Sequence, residues 1–166
     1  MMVRSEIPLL VPDPNRLRRA YGAFPTGVVA LAALIGGTPA GLAASSFTSV
    51  SLDPPLVSVS IAHTSATWPE LGTAMYLGVS VLTSKQELVC RQLAARACDR
   101  FAGIGWRSSE DGAVFIDQAA AWLTCSRYDS LQAGDHEIIV LRVHDFGVVA
   151  EAQPLVFHAS TYKRLG

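Results

Sequence analysis

Strand-like segments follow one another along this chain with few helices between them. Residues 28–34 form an apolar run, and a Gly36-Gly37 turn leads into residues 40–44, so the pattern predicts a β-hairpin. Residues 56–61 alternate apolar and small polar side chains, as a strand with one buried face does. Strands and helices do not alternate regularly, which argues against a doubly wound parallel sheet. Further strands are predicted at residues 76–82, 122–126, 137–143, 148–150 and 155–157.

Two short helices are predicted at the edges of this pattern. Asp13 is placed to cap a helix whose first residue is Pro14, and Pro25 ends it. The segment from Ser84 to Glu87 has the form of a capping box, so a second helix is expected directly after it. No GxGxxG turn is present, so the dinucleotide-binding fold lacks its phosphate loop. A mainly β chain with a closed or nearly closed antiparallel barrel and peripheral helices fits this order best.

The length and composition of the chain limit the classes of protein to which it can belong. The 166 residues suit one domain, and a hydrophobic content of 50% predicts a large core and a further buried surface between subunits. A net charge of −1 gives no reason to expect nucleic acid or a membrane surface as partner. The cysteines form no CxxC pair, so a reduced chain without a disulfide or metal site is expected. No signal peptide or membrane span is seen, and a cytoplasmic location is expected.

A hydroxyl-rich segment is the first candidate for chemistry. Residues 43–55 combine small side chains, five hydroxyls within seven positions and a double proline. Small residues let backbone amides approach a flat ligand, and hydroxyls bond a ring edge or a phosphate without charge. The same composition also fits an ordinary polar strand and loop.

Three shorter segments carry the other polar groups. In residues 63–69, hydroxyls at a strand end and a helix start suit a phosphate, although Ser65 or Thr67 would serve equally as a simple helix cap. Arg100 would clamp a phosphate or pair with the neighbouring Asp99. His136 follows a turn glycine at a strand entrance, where it would contact a ligand or make a structural hydrogen bond.

Taken together, five segments resemble the short-chain flavin reductase family, the reductase components of two-component flavin-dependent monooxygenases. The resemblance covers about residues 15–165, which would form one domain after an N-terminal extension of residues 1–14. The segments are residues 24–28, 44–57, 64–68, 99–101 and 134–136, which read FPTGV, ASSFTSVSLDPPLV, TSATW, DRF and GDH.

The resemblance implies a split β-barrel of the FMN-binding, Greek-key antiparallel type, and a homodimer with flavin in a groove near the interface. His136 would contact NADH or NADPH within the Gly134-Asp135-His136 motif. The family usually has Asn where this chain has Ser80, and its C-terminal Tyr corresponds to Tyr162. The remaining flavin contacts would come from Thr26, Ala44, Ser45, Ser46, Phe47 and Thr48, with Ser51, Ser65, Thr67, Arg100 and Phe101 near the phosphate or an adenylate extension.

The function implied is an NAD(P)H-dependent reduction of FMN or FAD that supplies reduced flavin to a separate monooxygenase. Two alternatives stay open at this point. One is a flavoprotein that retains its flavin and acts on its own small substrate. The other is a non-enzymatic split barrel that binds flavin or haem. The residues alone do not separate FMN from FAD or NADH from NADPH.

Overall fold

The computed structural model describes residues 11–96 and 99–166. None of the helices in these two ranges is long and apolar enough to span a membrane. The elements in chain order are α1 (Pro14–Gly22), β1 (Thr26–Gly27), β2 (Val29–Ile35), β3 (Thr38–Ala44), β4 (Thr48–Leu52), β5 (Pro55–Ala62), α2 (Trp68–Leu71), β6 (Leu77–Val81), α3 (Glu87–Ala94), β7 (Trp106–Ser108), β8 (Val114–Ile116), β9 (Ala121–Ala133), β10 (His136–Val148), β11 (Val156–His158) and β12 (Thr161–Lys163).

Seven strands form one antiparallel sheet in the order β3-β2-β6-β9-β10-β5-β4. The sheet curls around an apolar interior to which β2, β5, β6 and β10 contribute alternate side chains, Val59, Val79 and Ile139 among them. Trp68 and Leu71 of α2 belong to the same interior. The predicted mainly β, antiparallel split barrel is therefore confirmed.

The two end strands of this sheet, β3 and β4, are not paired with each other in the described chain. Ser46, in the link between them, is bonded to β5. Its hydroxyl donates to the Ser60 carbonyl oxygen at 3.0 Å and accepts from the Ser60 amide at 2.9 Å. The β4–β5 register pairs Thr48 with Ser58, so Ser46 stands opposite Ser60. A side chain thus replaces the backbone pair that a continued ladder would supply.

A second apolar layer lies outside the barrel. α3, the β7–β8 hairpin and the C-terminal strands cover the outer face of β2 and β3 with a separate buried cluster. Its fully buried members include Leu82, Leu93 and Leu155. This layer gives the outer edge of β3 a wall facing it, which is the first requirement for a groove there.

Several predicted elements are confirmed in place. The Asp13 side chain accepts a hydrogen bond from the Asn15 amide at 3.0 Å, and α1 begins at Pro14. The Gly36-Gly37 turn joins β2 and β3, and both glycines have positive φ. The polar segment after residue 47 forms β4.

The predicted capping box is wrong. Residues 84 and 85 form a turn, and α3 begins at Glu87 after Gln86, without a side-chain cap. The Gln86 side chain accepts from the Thr83 amide at 2.9 Å and donates to the Asp117 carbonyl at 2.7 Å. One local contact, to Thr83, and one tertiary contact, to Asp117, replace the predicted motif. The predicted strand at residues 148–150 is also corrected, because β10 runs without a break to Val148.

Candidate functional site

A groove of about 1210 Å³ follows the outer edge of β3. Along its length β3 supplies mostly small side chains, followed by Ser45 and Ser46. The opposite side comes from the end of β5, from residues 64–67 and from residues 99–101. His136, the first residue of β10, lines the same groove because β10 pairs it with Ala62 at the end of β5. Four of the five predicted segments, distant in sequence, thus meet along this edge of the barrel.

The Arg100 side chain lies beside Gly41, at the middle of β3. Its guanidinium donates to the Thr67 hydroxyl at 2.7 Å and to the Gly41 carbonyl at 3.3 Å. Within residues 11–96 and 99–166, no carboxylate lies within ion-pair distance of Arg100. The Asp99 carboxylate instead accepts from the Phe101 amide at 3.0 Å, so the sequence alternative of an Asp99–Arg100 pair is wrong. A half-buried cation without an acidic partner is suited to hold an anionic ligand group.

Phe101 is buried and forms part of the groove wall against β3. Its ring lies so close to Gly41 that a side-chain carbon there would stand 3.0 Å from the ring and 2.6 Å from the Leu31 carbonyl. Only glycine at position 41 therefore allows Phe101, and with it Arg100, to approach the strand. Because Arg100 directly precedes the buried Phe101, the packing of the Phe101 ring also holds Arg100 next to β3.

The hydroxyls of Ser65 and Thr67 make different hydrogen bonds. The Ser65 hydroxyl accepts from the Trp68 amide at 3.2 Å, which is the capping role considered from the sequence. Thr67 precedes α2 without a side-chain cap, and its hydroxyl is instead bonded to Arg100. Both residues line the groove. Thr67 therefore helps to orient the cation, whereas Ser65 fixes the loop.

His136 stands at the end of the groove nearest Ser45 and Ser46. Its Nδ1 lies 2.7 Å from the Asp135 carboxylate, and the imidazole is 43% exposed. The hydrogen bond and positive charge of His136 lower the pKa of the Asp135 carboxyl below its usual range. With Nδ1 directed to Asp135, Nε2 is left to meet a ligand. Gly134 has a φ of +64°, so the turn that presents this pair favours glycine.

Tyr162 lies outside the main groove, in an adjoining cavity of about 170 Å³ that shares Ala43, Ala44 and Ser45 with it. The Tyr162 hydroxyl lies 3.2 Å from the Cys90 sulfur. Burial raises the pKa of Tyr162 to about 12 and also raises the pKa of the Cys90 thiol. Both groups stay protonated at neutral pH.

Several predicted site residues are not brought to the groove. Ser80 is fully buried, and its hydroxyl accepts from the Ile116 amide at 3.0 Å, so the expected flavin contact is not supported. Phe47 packs against the barrel interior. The buried Thr26 hydroxyl is without a hydrogen-bond partner among the described residues and does not line the groove. Also outside the lining are Thr48, Ser51, Gly134 and Asp135.

Sequence reasoning missed part of the wall. Leu93, Arg96 and Trp106 line the groove, as do Thr38 and Glu70. None belongs to a motif. Thr38 begins β3 itself, whereas the others reach the groove through the packing of α2, α3 and the β7–β8 hairpin against the barrel. The helical spacing of Leu93 with Cys90 signals a buried face but not which strand that face covers.

The residues present fit a planar, phosphorylated cofactor. Small side chains on β3 leave room for a flat ring, and Ser45 offers an uncharged hydrogen-bonding group. Arg100 offers a cation that has no acidic partner among the described residues. The fold and groove together define a split-barrel protein of the flavin-nucleotide-binding class. The chain matches the flavin reductase like domain over residues 21–166, and it belongs to that family.

Known proteins with similar sequence and fold support this assignment. A flavin reductase of Pseudomonas putida is 37% identical over 161 residues, which cover 96% of this chain and 95% of that protein. Component B of a nitrilotriacetate monooxygenase from Mycobacterium thermoresistibile superposes with a TM-score of 0.88 at 34% identity, covering 92% of this chain and 86% of that one. The NADH:FAD oxidoreductase SgcE6 of Streptomyces globisporus, in complex with NAD and FAD fragments, gives 0.87 at 34% identity and 93% of both chains. Some other relatives are longer, and this chain spans only 43% of two of them.

Proposed function

We propose that this protein is an NAD(P)H-dependent flavin reductase that passes reduced FMN or FAD to a separate monooxygenase. The observation that carries the proposal is the placement of Arg100 and His136 along one groove, with small residues of β3 between them. A cation at mid-groove suits the flavin phosphate, and the imidazole of His136 on the same groove is available to a nicotinamide. Relatives that are flavin reductases or monooxygenase components support this reading.

The protein's contribution is positioning. When bound, the flavin accepts a hydride from the nicotinamide, and the chemistry is that of the two cofactors. The small side chains of Ala43 and Ala44 let the ring lie against β3, and Ser45 offers a hydroxyl at its edge. Arg100 fixes the phosphate end, so the ring's position along the groove is set. His136 is the one histidine among the described residues that line the groove. Its imidazole is held by Asp135, which does not line the groove.

The direct test is steady-state oxidation of NADH and NADPH with riboflavin, FMN or FAD, beside an absorption spectrum of the purified protein. Turnover with free flavin, and loss of flavin on desalting, are expected because the groove is open along β3. A yellow protein that keeps its flavin would favour the alternative of a self-contained flavoprotein. No turnover with any flavin would favour a binding module.

We expect His136→Ala to raise the KM for the nicotinamide substrate about tenfold, as loss of one hydrogen bond near the reacting ring would do. The kcat is expected to fall less, because the imidazole orients the substrate without exchanging protons with it. Flavin affinity, measured by fluorescence titration, should remain within about twofold because the phosphate contact is intact.

His63→Ala is the matched control for this variant. His63 lies at the same end of the sheet, bonded to Gln132 at 2.7 Å, but it does not line the groove. Its kinetics should equal those of the unaltered protein. Unchanged NADH and NADPH kinetics in His136→Ala would show that His136 does not contact the nicotinamide substrate.

We also propose that two copies of the chain associate. Strands β4 and β10 expose large apolar side chains, with Leu52 95%, Phe146 68% and Val148 75% exposed. A second copy of the chain would cover these large exposed apolar side chains on one sheet. Sedimentation should give about twice the chain mass of 17.7 kDa. Phe146→Asp is expected to shift the protein to monomer, whereas Leu88→Asp, at an equally exposed position on α3, should not.

A further inference from the structure

The described residues leave most of the apolar face of α1 uncovered. Leu17, Tyr21 and Phe24 follow one another at spacings of four and three residues, so they lie on one side of the helix. None of the nine residues of α1 is buried, and Tyr21 and Phe24 are 71% and 74% exposed. A helix shorter than about 12 residues owes its stability mainly to the packing of its apolar face. A second surface is therefore needed to cover α1.

The remaining surface of α1 is basic. The helix carries Arg16, Arg18 and Arg19 and no acidic residue, and none of the three is in an ion pair within the described chain. Arg16 and Arg19, three residues apart, lie on the same side of the helix, next to the apolar face. The whole chain has a net charge of −1, so the chain outside α1 is net acidic. A surface that matches α1 combines apolar side chains with carboxylates.

Strands β4 and β10 carry such a surface, here called the sheet patch. It consists of Leu52, Asp53, Asp145, Phe146 and Val148, all of them exposed. β4 and β10 both pair with β5, and each carboxylate directly adjoins an exposed apolar residue in sequence. Among the described ion pairs neither carboxylate takes part, and the hydrogen bond from the Phe146 amide to Asp145, at 2.9 Å, uses one oxygen only. The sheet patch thus offers what α1 lacks.

Between two copies of the chain, only one pairing of these surfaces joins opposite charges. Packing α1 against α1 would bring the arginines of both helices together, and packing one sheet patch against the other would bring their carboxylates together. Packing α1 of one copy on the sheet patch of the other covers apolar with apolar surface and places arginine beside aspartate. Two-fold symmetry then repeats the same contact, so both helices and both patches are covered.

We infer that α1 of each copy lies across the sheet patch of its partner. The inference rests on the proposed association of two copies, and it adds the surface that faces β4 and β10. Tyr21 and Phe24 cover the apolar part of the patch, and the arginines of α1 meet Asp53 and Asp145. The N-terminal helix is accordingly an arm that holds the dimer together.

Two variants, each with the charges of one surface reversed, provide the test by sedimentation velocity and native mass spectrometry. Arg16→Asp/Arg19→Asp places carboxylates on both surfaces, and Asp53→Arg/Asp145→Arg places cations on both. Alone, each variant is expected to be monomeric, with the dissociation constant raised at least about 100-fold, because like charges meet in both contacts. An equal mixture of the two should form a dimer of one chain of each kind, because every contact then joins opposite charges. Its dissociation constant should be within about tenfold of that of the unaltered protein.

Lys85→Asp/Arg164→Asp is the matched control, since it makes the same change of charge at two exposed positions outside α1 and the sheet patch. It should associate as the unaltered protein does. Each of three results would overturn the inference: an unaltered protein that stays monomeric, charge-reversed variants that dimerise alone, or a mixture that stays monomeric. Misfolding of the variants would not imitate the expected result, because two misfolded chains would not form a mixed dimer. An unaltered dimer without flavin turnover would reject the proposed reductase activity and leave this interface in place.

Discussion

Arg100→Ala is expected to weaken FMN binding by about 10- to 100-fold, the loss associated with removing one charge-assisted hydrogen-bonding group. The reason is the position of the guanidinium, which is bonded to Thr67 and Gly41 and has no carboxylate partner among the described residues. Its charge is therefore available to a phosphate. Riboflavin, which carries no phosphate, should bind the variant almost as well as it binds the unaltered protein.

The comparison of FMN with riboflavin separates a phosphate contact from general damage to the groove. Arg18→Ala is a suitable control, because Arg18 is exposed on α1 and contacts only the Asn15 side chain among the hydrogen bonds of the described chain. Isothermal calorimetry would measure the affinities of all three proteins for FMN and for riboflavin. Equal losses for FMN and riboflavin in Arg100→Ala would mean that the residue shapes the groove without contacting the phosphate.

Gly78→Ala is expected to lower the melting temperature by about 10 °C or to prevent folding, since overpacking of this severity costs about 3 kcal/mol or more. Gly78 lies in β6, where the β7–β8 hairpin crosses the outer face of the barrel. An added methyl group would overlap the Val114 carbonyl, which is backbone and cannot rotate away. The outer layer would have to separate from β6.

Gly27→Ala is the control for this variant. No atom lies within 4 Å of a side-chain carbon at Gly27, and its φ is not in the left-handed region. Its stability should change by no more than about 0.5 kcal/mol. Differential scanning calorimetry compares the three proteins, and a melting temperature for Gly78→Ala within a few degrees of the unaltered chain would contradict this account of the outer layer.

Local patterns predicted the elements whose stability is local. Asp13 with Pro14 fixed the start of α1, and the Gly36-Gly37 turn fixed the β2–β3 hairpin, because caps and tight turns depend on neighbouring residues. The resemblance brought together Ser45, Thr67, Arg100 and His136, and the structure places all four along one groove.

Where long-range contacts decide, the sequence was insufficient. Ser80 and Ser46 are both small hydroxyl residues, yet Ser80 is buried with its hydroxyl bonded to the Ile116 amide, whereas Ser46 is bonded to Ser60 of β5. The predicted capping box is absent where the Gln86 side chain donates to the Asp117 carbonyl, 31 residues away. The identity of one polar residue and its neighbours in sequence does not indicate which distant backbone group its side chain will bond after folding. For the same reason Trp106 went unpredicted as a wall of the groove.

The unpaired edges of β3 and β4 bear on how the protein exchanges its ligand. Along most of the barrel, widening a cleft would require breaking strand-to-strand hydrogen bonds. At this edge β3 and β4 form no ladder with each other in the described chain, and the groove lies along the free edge of β3. A flavin entering or leaving there would break no ladder of the sheet, so its exchange would not require the barrel to open.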